Sequence, residues 1–151
     1  MTTQKTAICL PWELKYRKAM YNVRLLTEGD YDTLLKWWRF WRFPAPPREF
    51  LPNNGCGGVM VSKDGVDICA GFLYITNSKF SWLEYIVSNH KYRENRAEAI
   101  QFLIEELTHL AKAKGCGAVF TSVKNENLIK HYESCGYTKG LNNTYEMVIK
   151  L

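Results

Sequence analysis

Three apolar, strand-like stretches follow one another with only short turns between them, and this pattern restricts the fold more than any other feature. The stretches are 58–63, 66–75 and 80–88. Asp64-Gly65 between the first two is a strong hairpin signal. A long amphipathic helix is predicted next over Glu94–Lys114, followed by a short apolar stretch, 118–123. A strand meander that continues into a strand–helix–strand crossover requires a mixed sheet flanked by helices.

Two further elements are predicted before the meander. The alternation over Met20–Leu26 is typical of a strand, and Thr27 is a plausible N-cap for the helix that follows. This helix should end before Pro44, because proline disfavours helical geometry in the preceding residue. The segment 43–57 holds four of the five prolines, so we expect a loop with at most one short helix.

The chain is predicted to end with one more helix and two strands. The helix covers Glu126–Ser134 and stops before Gly136. The strands cover Tyr137–Lys139 and Thr144–Lys150. The complete order predicts an α/β (α+β) fold, with a mixed, mostly antiparallel sheet of six or seven strands and helices on both faces.

The length of 151 residues suits one domain, which we place at 20–151 after a basic N-terminal extension, 1–19. No apolar run approaches the roughly 20 residues that cross a bilayer. The first residues contain no apolar core of signal-peptide length before Pro11. We therefore expect a cytoplasmic protein without membrane contact, either a monomer or a homodimer.

The cysteine pattern argues against a metal site. The five cysteines are odd in number, form no Cys-x-x-Cys pair and are accompanied by only three histidines. They are interpreted as reduced, small apolar side chains. The net charge of +5 favours an anionic partner, and a phosphorylated cofactor, an acidic peptide and nucleic acid would all fit.

Three stretches resemble the GNAT superfamily of N-acetyltransferases. They are Val23–Asp32, Tyr85–Arg93 and Asn125–Tyr137. In the last and most specific stretch, Asn125, Tyr132 and Gly136-Tyr137 stand at the spacing of the family's pattern. The resemblance covers roughly 20–151, and it extends to short GNAT-like proteins encoded by bacteriophages and bacteria. It implies the GNAT fold, acetyl-CoA as cosubstrate and direct transfer of the acetyl group to a primary amine.

Tyr132 is the first catalytic candidate that the resemblance implies. Asn125 can cap the helix that carries Tyr132, and both residues match positions that contact the cofactor. A phenol held in an apolar wall can return a proton to a thiolate leaving group. The alternative is a packed aromatic ring with its hydroxyl at the surface.

Glu84 is the second catalytic candidate. It lies within an apolar strand, where burial should raise the pKa of its carboxyl and allow it to accept a proton from an ammonium group. Alternatively, it lies on an edge or faces a basic partner. The backbone groups of Ile86 and Val87 match the family positions that hold the pantetheine arm and the acyl carbonyl. His90 and His131 are weaker candidates, since neither has a visible partner in the sequence.

The predicted pyrophosphate loop departs from the family. Its pattern is Gln/Arg-x-x-Gly-x-Gly/Ala, whose glycines let backbone N–H groups approach the phosphates. The corresponding residues here are Arg93, Glu94, Asn95, Arg96, Ala97 and Glu98. If the alignment to the family pattern is shifted by one residue, Ala97 and Ala99 occupy the small positions, but Glu94 takes the place of the leading basic residue. Either Arg93 and Arg96 supply side-chain charge instead, which we favour, or the pocket has degenerated and the fold binds something else.

An aromatic, basic cluster over 37–43 forms the expected acceptor-substrate side. The residues assigned to that side are Trp37, Phe40, Trp41 and Phe43. Trp38 and Trp41 should face the core. An exposed patch is predicted from Trp37, Phe40, Phe43, Arg39 and Arg42. Such a patch supports an alternative function, a catalytically weak or inactive GNAT-like module that binds nucleic acid or a protein partner. Nucleic acid is possible but not favoured.

Overall fold

A five-stranded mixed sheet forms within residues 20–151, the residues that the computed structural model describes. In chain order the elements are β1 (Asn22–Leu25), α1 (Asp30–Phe40), β2 (Gly58–Lys63), β3 (Val66–Ile75), β4 (Phe80–Ser88), α2 (Arg96–Ala113), β5 (Ala118–Phe120) and α3 (Glu126–Ser134). Two short 3-10 helices, Arg48–Phe50 and Pro52–Gly55, interrupt the proline-rich loop, one more than the sequence predicted. The extension predicted over 1–19 lies outside the described residues.

The strands are ordered β1-β2-β3-β4-β5, as the meander and the crossover require. Neighbours from β1 to β4 are antiparallel, and β5 runs parallel to β4 after the α2 crossover. At the predicted hairpin turn, Asp64 and Gly65 have φ angles of 51° and 77°. Positive φ at both central residues is the geometry of a type I′ turn, whose twist matches the flanking strands. This confirms the mixed, mostly antiparallel sheet.

The strand count predicted from the sequence was too high for the described residues. Neither Tyr137–Lys139 nor Thr144–Lys150 forms a strand, and β5 ends at Phe120 instead of continuing to residue 123. Alternating apolar and polar residues indicate which side chains would share a face of a strand. To form a strand, however, the segment must also pair with the free edge of a neighbouring strand. Here Tyr145 and Met147 are 91% and 93% exposed, so their apolar side chains are not packed against the sheet.

The sheet separates two apolar clusters, since neighbouring strand residues point to opposite faces. On β2, Val59 and Val61 belong to the first cluster and Met60 to the second. The first cluster includes the α2 residues Ala99, Phe102, Leu103, Ile104, Leu107 and Ala111. The second includes the α1 residues Leu34, Trp37 and Trp38. Each helix therefore buries one apolar face against the sheet.

Hydrogen bonds to the Asp30 carboxylate hold the start of α1 next to β1. Arg24 donates two hydrogen bonds to its carboxylate, at 2.8 and 2.9 Å, and the backbone N–H of Thr27 donates a third at 2.7 Å. Gly29, not the predicted Thr27, is the N-cap residue. The Thr27 hydroxyl donates to the Asp30 carboxylate at 3.1 Å.

We expect Asp30→Asn to destabilise the protein by about 1–2 kcal/mol at neutral pH, allowing for water around the partly exposed Arg24. Bonds from Arg24 and then from Thr27 lower the pKa of Asp30 to about 2. The stabilisation is therefore complete above the unfolded-state pKa of about 4 and is lost as the pH falls through about 2. Urea unfolding across this pH range measures the effect.

Asp32→Asn is the matched control, because Asp32 is an exposed acid in the same helical turn. It should lose only the weak interaction with the helix dipole, a few tenths of a kcal/mol. Equal destabilisation by both variants would show that the hydrogen bonds of Asp30 contribute nothing beyond its charge.

Candidate active site

One extra residue in β4 shapes the centre of the sheet. Phe72 of β3 pairs with Glu84 and Ala70 pairs with Val87, so Gly71 alone stands opposite both Tyr85 and Ile86. Tyr85 adopts the left-handed region, with φ at 58°, which is uncommon for a residue with a side chain. This arrangement is a β-bulge, and such bulges bend the strand and interrupt its pairing.

The strands β4 and β5 stop pairing shortly before the bulge. Their parallel pairing ends at Trp82 and Phe120, two residues before Glu84. The β4 edge that faces β5 therefore has no strand partner from Glu84 to Ser88. Apart from the Ser88 carbonyl, which accepts from the Trp41 side chain, backbone groups that point to this edge can bond to a ligand. A cavity of about 980 Å³ occupies the gap between the diverging strands.

The cavity brings together parts of the chain that are far apart in sequence. Its lining includes 84–88 of β4, 121–125 after β5, the start of α2 and one side of α3. Both catalytic candidates, Glu84 and Tyr132, are among its lining residues. So are most of the predicted cofactor contacts: Ile86, Val87, Arg93, Arg96, Ala97 and Asn125.

Glu84 lies half-buried in the cavity wall. Its Oε1 accepts a hydrogen bond from the backbone N–H of Ser122 at 2.7 Å. Burial raises the pKa of its carboxyl, the Ser122 N–H opposes this rise, and the nearby charge of Glu146 adds to it, giving a pKa of about 7. At that pKa the carboxyl can exchange a proton at neutral pH, as a general base must.

Tyr132 is buried, with 3% of its surface exposed. The Thr121 hydroxyl donates to the phenol oxygen at 3.2 Å, so the phenol keeps its own proton for another acceptor. Burial raises the pKa of Tyr132 above its ordinary value, which keeps the phenol protonated. Asn125 caps α3 as predicted, since its side chain accepts from the Leu128 N–H at 3.0 Å.

The start of α2 explains how the altered loop retains its shape. Asn95 is the N-cap residue and has φ at 53°, so a left-handed residue does occur here without glycine. The Glu98 side chain accepts a hydrogen bond at 3.0 Å from the hydroxyl of Tyr21, the residue that precedes β1. Glu98 is not among the residues that line the cavity, and neither are Glu94 and Asn95. The assignment of these three residues to the cofactor site stays a prediction.

The aromatic cluster is arranged differently from the prediction. Trp37 is buried, with 5% of its surface exposed, and belongs to the α1 core instead of an exposed patch. Trp41 was predicted to be in the core, yet it is 43% exposed and lines the cavity. The register explains this, because Trp41 follows the last residue of α1, where the chain leaves the helical face that Trp37 and Trp38 share.

Two residues of the aromatic cluster, Trp41 and Phe40, form specific contacts near the cavity. Trp41 donates from Nε1 to the Ser88 carbonyl at 2.8 Å, and the Arg96 guanidinium lies 5.0 Å from its ring centroid. Phe40 stacks on His90 with ring centroids 3.9 Å apart. Phe43 also lines the cavity. The aromatic residues after α1 thus continue the cavity wall.

Sequence reasoning missed Thr121, Ser122 and Glu146. The first two were read as part of a continuous strand, although hydroxyl residues just before an N-cap are a recognisable signal of a loop. Glu146 contacts the site across 24 residues of chain, through a hydrogen bond from the Ser122 hydroxyl. Spacing offers no signal for such a contact.

Two other properties of residues 20–151 bear on the site. Within this range, no group of three or more His, Cys, Asp and Glu side chains is placed to hold a metal ion. None of the described helices is both long enough and apolar enough to span a membrane.

Comparison with known proteins shows similarity in structure only. No protein-family model and no curated protein sequence matches the chain. Among solved structures, ribosomal-protein-S18-alanine N-acetyltransferase from Escherichia coli has a TM-score of 0.66 at 18% identity, over 81% of this chain and 80% of that one. Glucosamine-6-phosphate N-acetyltransferase from Arabidopsis thaliana has a TM-score of 0.59 at 14% identity, over 85% and 98%.

A third structure was determined with ligands. It is N-acetylglutamate synthase from Neisseria gonorrhoeae complexed with coenzyme A and L-arginine, with a TM-score of 0.59 at 14% identity. The match covers 75% of this chain and 27% of that one. Likeness at these identities establishes a shared fold.

Glu84 should titrate with a pKa of about 7 in the folded protein, because burial disfavours its charged form and Glu146 adds repulsion. Carbon-13 NMR of glutamate-labelled protein measures this value, and the signal that disappears in Glu84→Gln identifies the residue. The neighbouring phenols of Tyr85 and Tyr132 stay protonated across that range, since burial raises the pKa of each. A Glu84 pKa near the ordinary value of about 4.3 would contradict the buried position.

Proposed function

We propose that this chain, which has the predicted GNAT fold, transfers an acetyl group from acetyl-CoA to a primary amine by direct attack. The observation that carries the proposal is the single cavity into which Glu84, Tyr132, the free edge of β4 and the start of α2 all open. A proton acceptor, a proton donor and a phosphate-binding surface are thereby available to one bound ligand. The unit proposed to act is the domain 20–151.

The cofactor side of the cavity fits coenzyme A. An extended pantetheine arm carries amide groups. Ile86 and Val87 line the cavity beyond the point where β4 stops pairing with β5, so backbone groups that point to this edge can bond to such a chain. The first N–H groups of α2 have no partner within the helix and attract anions. Arg93 and Arg96 line the same end of the cavity. We infer that their guanidinium groups replace the contacts that glycines allow in the family pattern.

The acceptor side supplies the acid–base chemistry. Glu84 accepts a proton from the incoming ammonium group, leaving a neutral amine. The amine nitrogen forms a bond to the thioester carbonyl carbon, and the carbon–sulfur bond breaks. Tyr132 then donates its phenolic proton to the departing thiolate. The newly acylated nitrogen releases its surplus proton, which returns through solvent to the phenolate, so that the amide is neutral and Tyr132 is regenerated. Most of the acceleration comes from holding the two reactants together, to which acid–base catalysis adds a smaller factor.

The alternative function, a binding module for nucleic acid or protein, relied on an exposed basic-aromatic patch. The described side chains do not favour it, because Trp37 is buried and Trp41 and Phe43 line the cavity. Phe40 is stacked on His90. Of the aromatic rings predicted for the patch, Phe40 and Phe43 remain 54% and 49% exposed, which leaves two rings for the stacking that binds single strands.

Acetyl-CoA should bind to the wild-type protein, and Arg96→Ala should weaken this binding roughly 10- to 100-fold. The reason is the loss of one charge-assisted phosphate contact, on the order of 1.5–3 kcal/mol. Calorimetry gives the affinity directly, and the rise in melting temperature at millimolar acetyl-CoA gives an independent measure.

Lys112→Ala is the matched control, since Lys112 is an exposed cation in the last turn of the same helix. Its affinity for acetyl-CoA should equal that of the wild type. Absence of any acetyl-CoA binding by the wild type would overturn the proposed function. Equal binding by wild type and Arg96→Ala would show that the loop holds the phosphates without this side chain.

Tyr132→Phe should lower kcat by roughly 10²- to 10⁴-fold with little change in the KM for the amine. The phenylalanine ring preserves the packing, so the loss isolates the proton that the phenol donates. Steady-state acetylation of a primary amine measures both constants, and calorimetry with acetyl-CoA checks that cofactor affinity is retained.

Tyr137→Phe provides the comparison. The Tyr137 ring lies 5.0 Å from that of Tyr132, but its hydroxyl is bonded to Thr108 at 2.7 Å and it does not line the cavity. This variant should keep its turnover. If Tyr132→Phe also acetylates at the wild-type rate, another group protonates the thiolate.

A further inference from the structure

Four aromatic rings meet beside Glu84. The Tyr85 ring is at their centre, since its centroid lies 6.4 Å from that of Trp38, 6.3 Å from that of Phe43 and 6.4 Å from that of Tyr74. The first two contacts are edge-on. Trp38, Phe43 and Tyr85 line the cavity together with Glu84, and we call these three rings the aromatic wall. The steps of the proposed acetyl transfer make no use of them.

The bulge in β4 brings Tyr85 to the same side of the sheet as Glu84. Glu84 pairs with Phe72, and side chains that are directly opposite each other on neighbouring strands share a face. Phe72 belongs to the apolar cluster under α1. Strict alternation would turn residue 85 to the other face, yet the Tyr85 ring also packs against that cluster. Burial raises the pKa of Tyr85 and the charge of Glu84 adds to this rise, as expected for two groups that lie close together.

The aromatic wall extends from the core to the surface. Trp38 is buried, whereas Phe43 is 49% exposed and can be covered by a ligand. Tyr85 has φ at 58°, a conformation that is unfavourable for a residue with a side chain. Backbone strain of this kind persists only where the surrounding structure holds it, and it is concentrated at ligand-binding sites. The strain here serves to present one ring beside a carboxylate.

The charges in the cavity restrict the acceptor further. Among the described residues that line it, Glu84 is the only carboxylate. Four cations line it as well: Arg93, Arg96, Lys124 and Lys130, which belong to the start of α2, the segment before α3, and α3 itself. These cations suit a cofactor with several phosphates, but they repel an acceptor that carries more than one positive charge. One carboxylate can neutralise one ammonium group, so the charges favour a monoamine.

We propose that the aromatic wall recognises the acceptor and that the acceptor is a primary monoamine carrying an aromatic ring. This inference rests on the proposed acetyl transfer and names the substrate class for that reaction. Glu84 accepts the proton of the ammonium group, and the ring of the amine packs against Tyr85 and Phe43. Aromatic pairs gain from edge-to-face contact in addition to the apolar area that they bury, which favours a ring over an alkyl chain.

The test compares 2-phenylethylamine with ethylamine, which has the same amine group and no ring. The wild type should have a kcat/KM for 2-phenylethylamine at least roughly 10-fold higher, as expected when a phenyl group leaves water for an apolar wall. Phe43→Ala should lower the ratio of the two kcat/KM values at least about threefold. The ratio cancels any loss that is common to both amines, and replacing a half-exposed side chain should leave the fold intact.

Phe50→Ala is the matched control, because it removes a ring that is 54% exposed and does not line the cavity. The backbone carbonyl of residue 50, which accepts from the Tyr74 hydroxyl, is kept in this variant. Its ratio should equal that of the wild type. Equal kcat/KM values of the wild type for the two amines, or an undiminished ratio in Phe43→Ala, would overturn the inference while leaving acetyl transfer intact. A higher kcat/KM for 1,4-diaminobutane than for 2-phenylethylamine would also overturn it.

Calorimetry of each amine with the protein separates the two proposals. Failure of acetyl-CoA to bind would refute the proposed function. Tighter binding of 2-phenylethylamine than of ethylamine by the wild type, reduced in Phe43→Ala, would still support the recognition role of the aromatic wall. Absence of that difference would refute the recognition role whatever the outcome with acetyl-CoA.

Discussion

The bulge in β4 is the feature on which the candidate site depends. A regular strand would continue to pair with β5, and its backbone groups would be used up within the sheet. Tyr85 adds one residue opposite Gly71, which bends β4, and the pairing of β4 with β5 ends at Trp82, three residues before Tyr85. Gly71 favours this packing, since a Cβ there would lie 3.1 Å from side-chain atoms of both Ile86 and Leu107, which is tighter than ordinary contact.

The opening between β4 and β5 places polar groups beside an apolar core. Tyr132 belongs to the same buried cluster as the α2 residues, yet its hydroxyl is bonded to Thr121 at the cavity wall. Glu84 is likewise desolvated on one side and bonded to Ser122 on the other. Partial burial shifts the proton affinities of these groups, whereas full solvation would leave them near ordinary values.

The start of α2 shows how a binding loop can lose its glycines and keep its backbone shape. Asn95 adopts the left-handed conformation, which asparagine tolerates better than most residues. Glu98, which opposes a phosphate by its charge, is held by Tyr21 and does not line the cavity. Arg96 is stacked near the Trp41 ring and lines the cavity instead. The charge that a ligand meets at the start of α2 therefore depends on which side chains point into the cavity, and not only on which residues the loop contains.

The sequence by itself determined the elements and their order from residue 22 to residue 134. Apolar periodicity, Asp64-Gly65 and the Asn125 cap are local signals, so the meander, the crossover and the last helix could be predicted from neighbouring residues. The spacing from Asn125 to Tyr132 also identified a residue that lines the cavity.

The tertiary structure alone decided where the strands separate, which tryptophan is buried and which distant acid approaches Glu84. A bulge depends on the register of two strands, and the burial of Trp37 in place of Trp41 depends on where α1 ends against the sheet. The contact of Glu146 with Ser122 joins residues 24 positions apart. Such features arise from long-range packing, which leaves no periodic trace in the sequence.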